Sequence, residues 1–83
     1  MKPTKRRLEF LRAVLDDKVW VDLLTPAPQH HVRMAGRAGI FDARFREMRA
    51  AGLVDTTGAL TSRGLRTKLT VAGREVLRAW EES

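Results

Sequence analysis

The segment TKLTVAGREVL, residues 67–77, changes its hydrophobic period at Val71, and this change constrains the fold more than any other stretch of the chain. Its first four residues fit a half-buried strand, which would place Thr67 and Leu69 on one face and Lys68 and Thr70 on the other. From Val71 onward the apolar spacing becomes three or four residues, the helical period, and Thr70 occupies the position of an N-cap. The apolar residues of that helix are Val76, Leu77 and Trp80. A strand is therefore predicted to run directly into a helix over 71–82.

The length of the chain limits it to a single small domain. With 83 residues, 1–83, it can bury only a modest core, which disfavours a large two-layer enzyme. It has no cysteine, which excludes a disulfide framework, a zinc knuckle and a thiol nucleophile. No apolar run approaches the ~20 residues needed to cross a bilayer, and the basic start MKPTKRR is not followed by an apolar signal core. We therefore expect a soluble cytoplasmic protein with no membrane partner.

The charge of the chain points to a polyanionic partner. The formal net charge is +6 and the isoelectric point is near 11.1. A domain this basic attracts polyanions over several ångströms, and nucleic acid is the most common one. Arginine carries most of the excess and can form a two-pronged contact with phosphate or with a guanine edge. A proteome that is rich in arginine as a whole is the competing explanation.

The first half of the chain is predicted to contain two helices and a short strand. Thr4 is a suitable N-cap for a helix over 5–18, whose apolar stripe is broad enough to be core. That stripe consists of Leu8, Phe10, Leu11, Val14 and Leu15. The β-branched and aromatic segment 19–24 is either a strand or the tail of the helix, and a strand is favoured. A threonine followed by proline then starts a helix over 26–36, and the glycines of GRAG, residues 36–39, form a corner after it.

The most clearly periodic helix lies over 40–51. Phe41, Phe45 and Met48 recur at four and three residues, and Gly52 ends the helix. On an ideal helix the opposite arc points outward. Its members are Asp42, Ala43, Arg46, Glu47, Arg49 and Ala50, with Arg44 at the border. Small alanines between arginines permit close approach to a surface, which a helix needs if it is to enter the major groove.

The residues after this helix predict a β-hairpin. Residues 53–55 and 65–70 are two short strand candidates, and the turn-rich segment TTGALTSRG separates them as a long tip. The resulting order is helix, strand, helix, turn, helix, hairpin, helix. This order is that of a winged helix-turn-helix, an α+β domain that is mainly α with a small β-hairpin.

Two segments carry a resemblance to a known family. REMRAAGLVD, followed by LTVAGREVL, resembles the recognition helix and wing of winged-helix transcriptional regulators of the MarR and PadR kind. ARFREMRAAGLV is also similar to small phage and prophage helix-turn-helix proteins. The resemblance covers residues 32–77. It implies a bacterial or phage transcription regulator that binds double-stranded DNA sequence-specifically, is associated with the nucleoid and acts by occupying an operator.

The resemblance also implies which residues touch DNA. The helix at 40–51 would enter the major groove, and the wing at 53–70 would follow the backbone. On the recognition helix and the corner before it, the implied contacts are Arg37, Asp42, Ala43, Arg44, Arg46 and Arg49. On the wing they are Arg63, Arg66 and Lys68. Ala43, Arg44 and Arg46 would lie near base edges, and Arg37 and Arg49 nearer phosphates.

The remaining chemistry-bearing residues do not predict an enzyme, a metal site or a cofactor site. No serine, histidine and acid share a recognisable catalytic spacing. His30 and His31 are adjacent, so on a helix they point about 100° apart and cannot chelate one ion. They are expected to be a surface pair or a phosphate contact. Trp20 and Trp80 lie on apolar stripes and are expected to be core or dimer contacts rather than platforms for stacked bases.

Two alternatives to DNA binding remain open at this stage. The same fold could be an adaptor that binds an acidic protein, or an RNA-binding domain of ribosomal type. A DNA-binding domain of this size commonly doubles its phosphate contacts by forming a two-fold dimer. We therefore predict a weak homodimer through the C-terminal helix, with Val76, Leu77 and Trp80 as its apolar contacts.

Overall fold

Three helices pack on one face of a four-stranded antiparallel sheet in the computed structural model, which describes residues 1–23 and 30–83. The elements in chain order are α1 (Lys5–Leu15), β1 (Val19–Asp22), β2 (His31–Met34), α2 (Asp42–Ala50), β3 (Val54–Thr61), β4 (Gly64–Leu69) and α3 (Val71–Glu82). Within the described residues no helix is both long and apolar enough to span a bilayer.

Both threonine caps predicted from the sequence are present. The Thr4 hydroxyl accepts a hydrogen bond from the Arg7 N–H at 3.2 Å, and the Thr70 hydroxyl accepts one from the Gly73 N–H at 3.0 Å. Each bond satisfies a backbone donor that has no partner within its helix. Helix α1 is shorter than the predicted 5–18, because Asp17 adopts a positive φ of 59° that ends the helix after Leu15.

The sheet has the strand order β2-β1-β4-β3. The strand favoured at 19–24 is confirmed over Val19–Asp22 as β1, whereas residue 23 is in a turn and Leu24 lies outside the described residues. The helix predicted over 26–36 is wrong where the structure describes it, because residues 31–34 form β2 and pair with β1 in antiparallel register. Val32 and Met34 are buried while their neighbours in the strand are half-buried, so the period here is two rather than 3.6. Residues 26–29 of that predicted helix lie outside the described residues.

The predicted hairpin is confirmed, but its long tip is wrong. Strand β3 continues to Thr61 and β4 begins at Gly64, which leaves a turn of only Ser62 and Arg63. The register shifts between Thr56 and Leu60, so the turn-rich sequence is absorbed by a bulge within β3.

The helix predicted at 40–51 is present as α2, which is shorter by the two residues before Asp42 and by Ala51, and Gly52 follows its C-cap as predicted. The C-terminal helix predicted at 71–82 is α3. The order of elements is therefore helix, strand, strand, helix, hairpin, helix, with β2 where a second helix was predicted. The domain is α+β as expected, although its β structure is a four-stranded sheet and not only a small hairpin.

The core lies between the helices and one face of the sheet. Phe10 and Leu11 of α1, Met48 of α2 and Leu77 of α3 are 0–2% exposed and belong to one cluster. The sheet contributes Val19, Val32, Met34, Val54 and Leu69 to it. Leu15, expected in the core, is 40% exposed. All three described helices pack on this face of the sheet. The opposite face, which no described helix covers, is hereafter called the open face.

Candidate nucleic-acid interface

Helix α2 presents a small, exposed surface from a fixed position. Phe45 and Met48 are buried in the core and anchor the helix on the sheet. Ala43, Arg46 and Ala50 are exposed and lie three and four residues apart, so they share one side of the helix. Arg46 is thus flanked by two small side chains. This arrangement matches the prediction for the outward arc at these three positions.

Asp42 does not lie on the outward arc, and its predicted placement is wrong. Its side chain is only 10% exposed. One carboxylate oxygen accepts the Val32 N–H at 2.7 Å, and the other lies 2.8 Å from His31 Nδ1. Val32 also accepts a hydrogen bond from the Phe41 N–H at 2.8 Å, so residues 41–42 satisfy the outward backbone groups of edge strand β2. Asp42 therefore joins β2 to α2 and is not available to DNA.

The environment of Asp42 favours its ionised form. Desolvation by burial alone would raise the pKa of this carboxyl. The hydrogen bonds from the Val32 N–H and His31, together with the positive charges of His31 and Arg46, outweigh that effect and lower the pKa of Asp42 below its ordinary value. A negative charge is thus held at the N-terminus of α2, where the helix dipole is favourable to it.

Glu47 neutralises two arginines beside the exposed side of α2. Its carboxylate accepts two hydrogen bonds from the Arg7 guanidinium, both at 3.1 Å, and one from Arg44 at 2.5 Å. These bonds lower the pKa of Glu47, with that from Arg7 contributing most. Arg44, predicted near base edges, is therefore half-buried in an ion pair.

The other cations predicted on this side of the molecule differ in how firmly they are held. Arg37 forms an ion pair with Glu9 across to α1. Arg49 lies 3.8 Å from Asp55, and its side chain is 60% exposed. Such exposed pairs are weak and can be exchanged for phosphate. Among the residues that the structure describes, Arg46 is the only arginine of α2 for which no ion pair is found.

The cations predicted on the wing do not share a surface with Arg46. Residues opposite each other in an antiparallel pair point to the same face, and successive residues alternate. Leu69 and Thr67 are buried on the helix side, so Arg66 and Lys68 point to the open face. Arg63 leans over this face, with its guanidinium 5.0 Å from the Trp20 ring centroid. The predicted DNA contacts are therefore divided between two faces of the sheet.

Sequence reasoning missed two residues of the open face, Trp20 and Arg33. Trp20 is half-buried and is not part of the core, so the expectation of a core position is wrong, and a dimer contact through Trp20 stays a prediction. Its register partners are Arg33 on β2 and Arg66 on β4. The position of Trp20 could have been predicted from the alternation in VWVD, residues 19–22. A strand that buries Val19 and Val21 on one face must place Trp20 and Asp22 on the other.

The structure also limits the predicted dimer surface. Leu77 is 2% exposed and is buried in its own protomer, and Val76 and Trp80 pack against the same core. Val71, 76% exposed, is the large apolar side chain that α3 leaves open. The homodimer through α3 stays a prediction.

The paired histidines have separate environments. His30 is exposed, whereas His31 begins β2 and contacts the buried Asp42. His31 is therefore tied to the fold rather than being a surface partner of His30.

Comparisons of this chain with protein-family models, with curated proteins and with solved structures find no match. The resemblance to winged-helix regulators consequently depends on the residues of the sequence, and the functional argument depends on the geometry of the two surfaces.

Proposed function

We propose that the protein binds double-stranded DNA through α2 and acts as a transcription regulator by occupying its site. The observation that carries this proposal is the exposed Arg46, which has no ion pair among the described residues and is flanked by Ala43 and Ala50. An arginine in such a position can extend to the guanine edge without a bulky neighbour beside it.

The dimensions and rigidity of α2 support this role. The helix has nine residues, and at 1.5 Å per residue it is roughly 13 Å long, so it can present its full outward side within one stretch of major groove. Phe45 and Met48 fix it to the core, and Asp42 ties its first turn to β2. Arg46, the side chain proposed to contact a base, would therefore lie on a rigid helix, which favours discrimination between bases.

Arginines around Arg46 are suited to contact phosphates. Arg44 and Arg49 lie on the same helix, and Arg37 lies in the corner that precedes it. Each is in an ion pair with a carboxylate that is at least 31% exposed, and a phosphate can replace such a partner at modest cost. In this proposal the domain is a variant of a winged helix-turn-helix, with β2 in place of the second helix.

The proposal is tested by selecting bound sequences from a random duplex pool and then titrating variants. Arg46→Ala is expected to lose about 1–3 kcal/mol of discrimination between the selected duplex and a scrambled one, because the base contact disappears. Arg78→Ala is the matched control, since it removes an exposed arginine from α3 that forms no ion pair with the described residues. Arg66→Ala tests the open face of the sheet. Neither Arg78→Ala nor Arg66→Ala should change the preference for the selected duplex over the scrambled one.

Two outcomes would contradict the proposal. If Arg46→Ala weakened selected and scrambled duplexes by the same factor, α2 would not be the element that reads bases. If the pool gave no bound duplex and the protein instead captured an acidic protein, the adaptor alternative would be correct.

A further inference from the structure

The open face of the sheet carries an aromatic ring surrounded by arginines. Trp20 lies on β1, an inner strand, and its register partners on the two neighbouring strands are Arg33 and Arg66. Lys68 follows two residues after Arg66 and extends the same row of cations. Arg63 approaches the ring from the hairpin tip. Among residues 1–23 and 30–83, four cations and one indole thus lie on a face that the core does not use, where Asp55 is the register partner of Lys68.

The position of Arg63 over Trp20 is fixed by the hairpin turn. The Thr61 hydroxyl accepts the Arg63 N–H at 3.1 Å and donates to the Gly64 carbonyl at 2.8 Å, so one side chain braces both sides of the turn. Gly64 has φ 133°, and a Cβ there would lie 2.0 Å from the Val21 carbonyl oxygen. Only glycine permits β4 to approach β1 this closely, and the approach brings the tip over Trp20.

Two shallow depressions flank the Trp20 ring. One of about 470 Å³ lies toward Arg33 and the corner at residues 35–39, and another of about 300 Å³ lies toward Asp17 and Arg66. Arg63 borders both. The ring is therefore accessible from two sides to a planar ligand. The Arg63 guanidinium already lies over part of the ring, as a flat cation does on an aromatic face.

The charges around the ring identify the chemistry of the ligand. Unpaired bases stack on aromatic side chains, and arginines beside the ring can neutralise the connecting phosphates. Asp17 accepts two hydrogen bonds from Arg66 at 2.6 and 3.1 Å, and Asp22 lies 3.9 Å from Arg33. These carboxylates repel phosphate but accept hydrogen bonds from sugar hydroxyls. Ribose has such a donor at its 2′ position, and deoxyribose does not.

We propose that the open face binds single-stranded RNA. A base stacks on Trp20 in place of the Arg63 guanidinium. The phosphates on either side of that base are contacted by the four cations, Arg33, Arg63, Arg66 and Lys68. The carboxylates of Asp17 and Asp22 accept hydrogen bonds from 2′-hydroxyls. A duplex does not fit this role because its bases are already stacked on one another. The ring and its cations lie on the opposite face of the sheet from Arg46, and the corner that carries Arg37 borders one of the two depressions.

The test uses the full chain and an oligouridylate of about ten nucleotides, a length within the range that single-strand sites cover. In a Trp80→Phe background, the remaining fluorescence comes from Trp20 and should be quenched as the oligonucleotide is added. Measured by the fluorescence anisotropy of an end-labelled oligouridylate, Trp20→Leu is expected to weaken binding by about tenfold, because an aliphatic side chain cannot stack. Trp20→Phe retains a ring and should bind within a fewfold of the wild type. Circular dichroism checks that each variant is folded.

The controls separate this site from the one on α2. Arg46→Ala should leave oligouridylate binding intact, and Trp20→Leu should leave duplex binding intact. Oligodeoxythymidylate of the same length should bind severalfold more weakly than oligouridylate. Absence of quenching, equal binding by Trp20→Leu and Trp20→Phe, or equal affinity for the two oligonucleotides would overturn the proposal.

Discussion

Replacing Gly73 by alanine should destabilise the protein by about 3 kcal/mol, although the same change in an unconstrained helix interior stabilises it by about 1 kcal/mol. A Cβ at this position would lie 2.0 Å from the Leu53 carbonyl oxygen and 2.9 Å from its carbon. That carbonyl cannot easily move, because it accepts the Thr70 N–H at 3.0 Å. The added methyl would therefore push α3 away from the chain that enters β3 and separate Leu77 from the core.

The measurement is equilibrium unfolding in denaturant. Gly58→Ala is the control, since a Cβ there meets nothing within 4 Å and φ is not positive. It should change the free energy of unfolding by less than about 0.5 kcal/mol. A Gly73→Ala protein as stable as the wild type, or more so, would show that α3 does not dock against Leu53 as described.

Replacing Asp42 by alanine should cost about 3 kcal/mol, because it leaves the buried Val32 N–H without an acceptor and removes the contact with His31. Asp42→Asn is the matched variant. Its amide oxygen can still accept the Val32 N–H, so it should retain most of the stability that alanine loses. Thermal and denaturant unfolding of the two variants compare them directly. Equal losses for alanine and asparagine would mean that the hydrogen bond to Val32 contributes nothing.

The lowered pKa of Asp42 also predicts how stability depends on pH. A carboxyl whose pKa is lower in the folded state contributes stability that is fully present above its unfolded pKa and is lost as the pH falls through the folded pKa. The wild type should therefore lose stability as the pH falls below about 4. Asp42→Asn should show a shallower loss over that range, because its side chain does not titrate. Glu47, whose pKa is also lowered, should contribute to the pH dependence in the same direction.

Local sequence signals were enough to locate the helices. Thr4 and Thr70 cap α1 and α3 as their sequence positions indicate, and the spacing of Phe45 and Met48 identifies the buried side of α2. These features depend on side chains within a few residues of each other. They are therefore visible without any knowledge of tertiary structure.

Strand β2 could not be predicted because its stability comes from distant partners. Its four residues pair with β1, and its outward backbone groups are satisfied by Phe41 and Asp42. The sequence TPAP before it offers a good helix start, which favoured the wrong assignment. Without β2 there is no four-stranded sheet, and without the sheet the open face around Trp20 cannot be inferred.

Asp42 was misplaced for a related reason. An ideal helical arc assigns directions from sequence spacing alone, whereas the first residue of α2 turns back toward the strand that its carboxylate caps. An acidic residue in the first turn of a helix is equally compatible with a solvent-facing and a capping role. The choice between these two roles depends on where Val32 lies relative to α2, and that position is set by the tertiary structure.

The division of the cations between two faces gives the account its most direct test, the salt dependence of duplex binding by the wild-type protein. If Arg37, Arg44 and Arg49 are the phosphate contacts and the open face takes no part, the logarithm of the association constant should fall linearly with the logarithm of salt concentration. The slope should be roughly −3 per protomer between about 50 and 200 mM salt. A slope near zero would contradict DNA binding, and one near −5 or steeper would mean that the cations of the open face also contact the duplex.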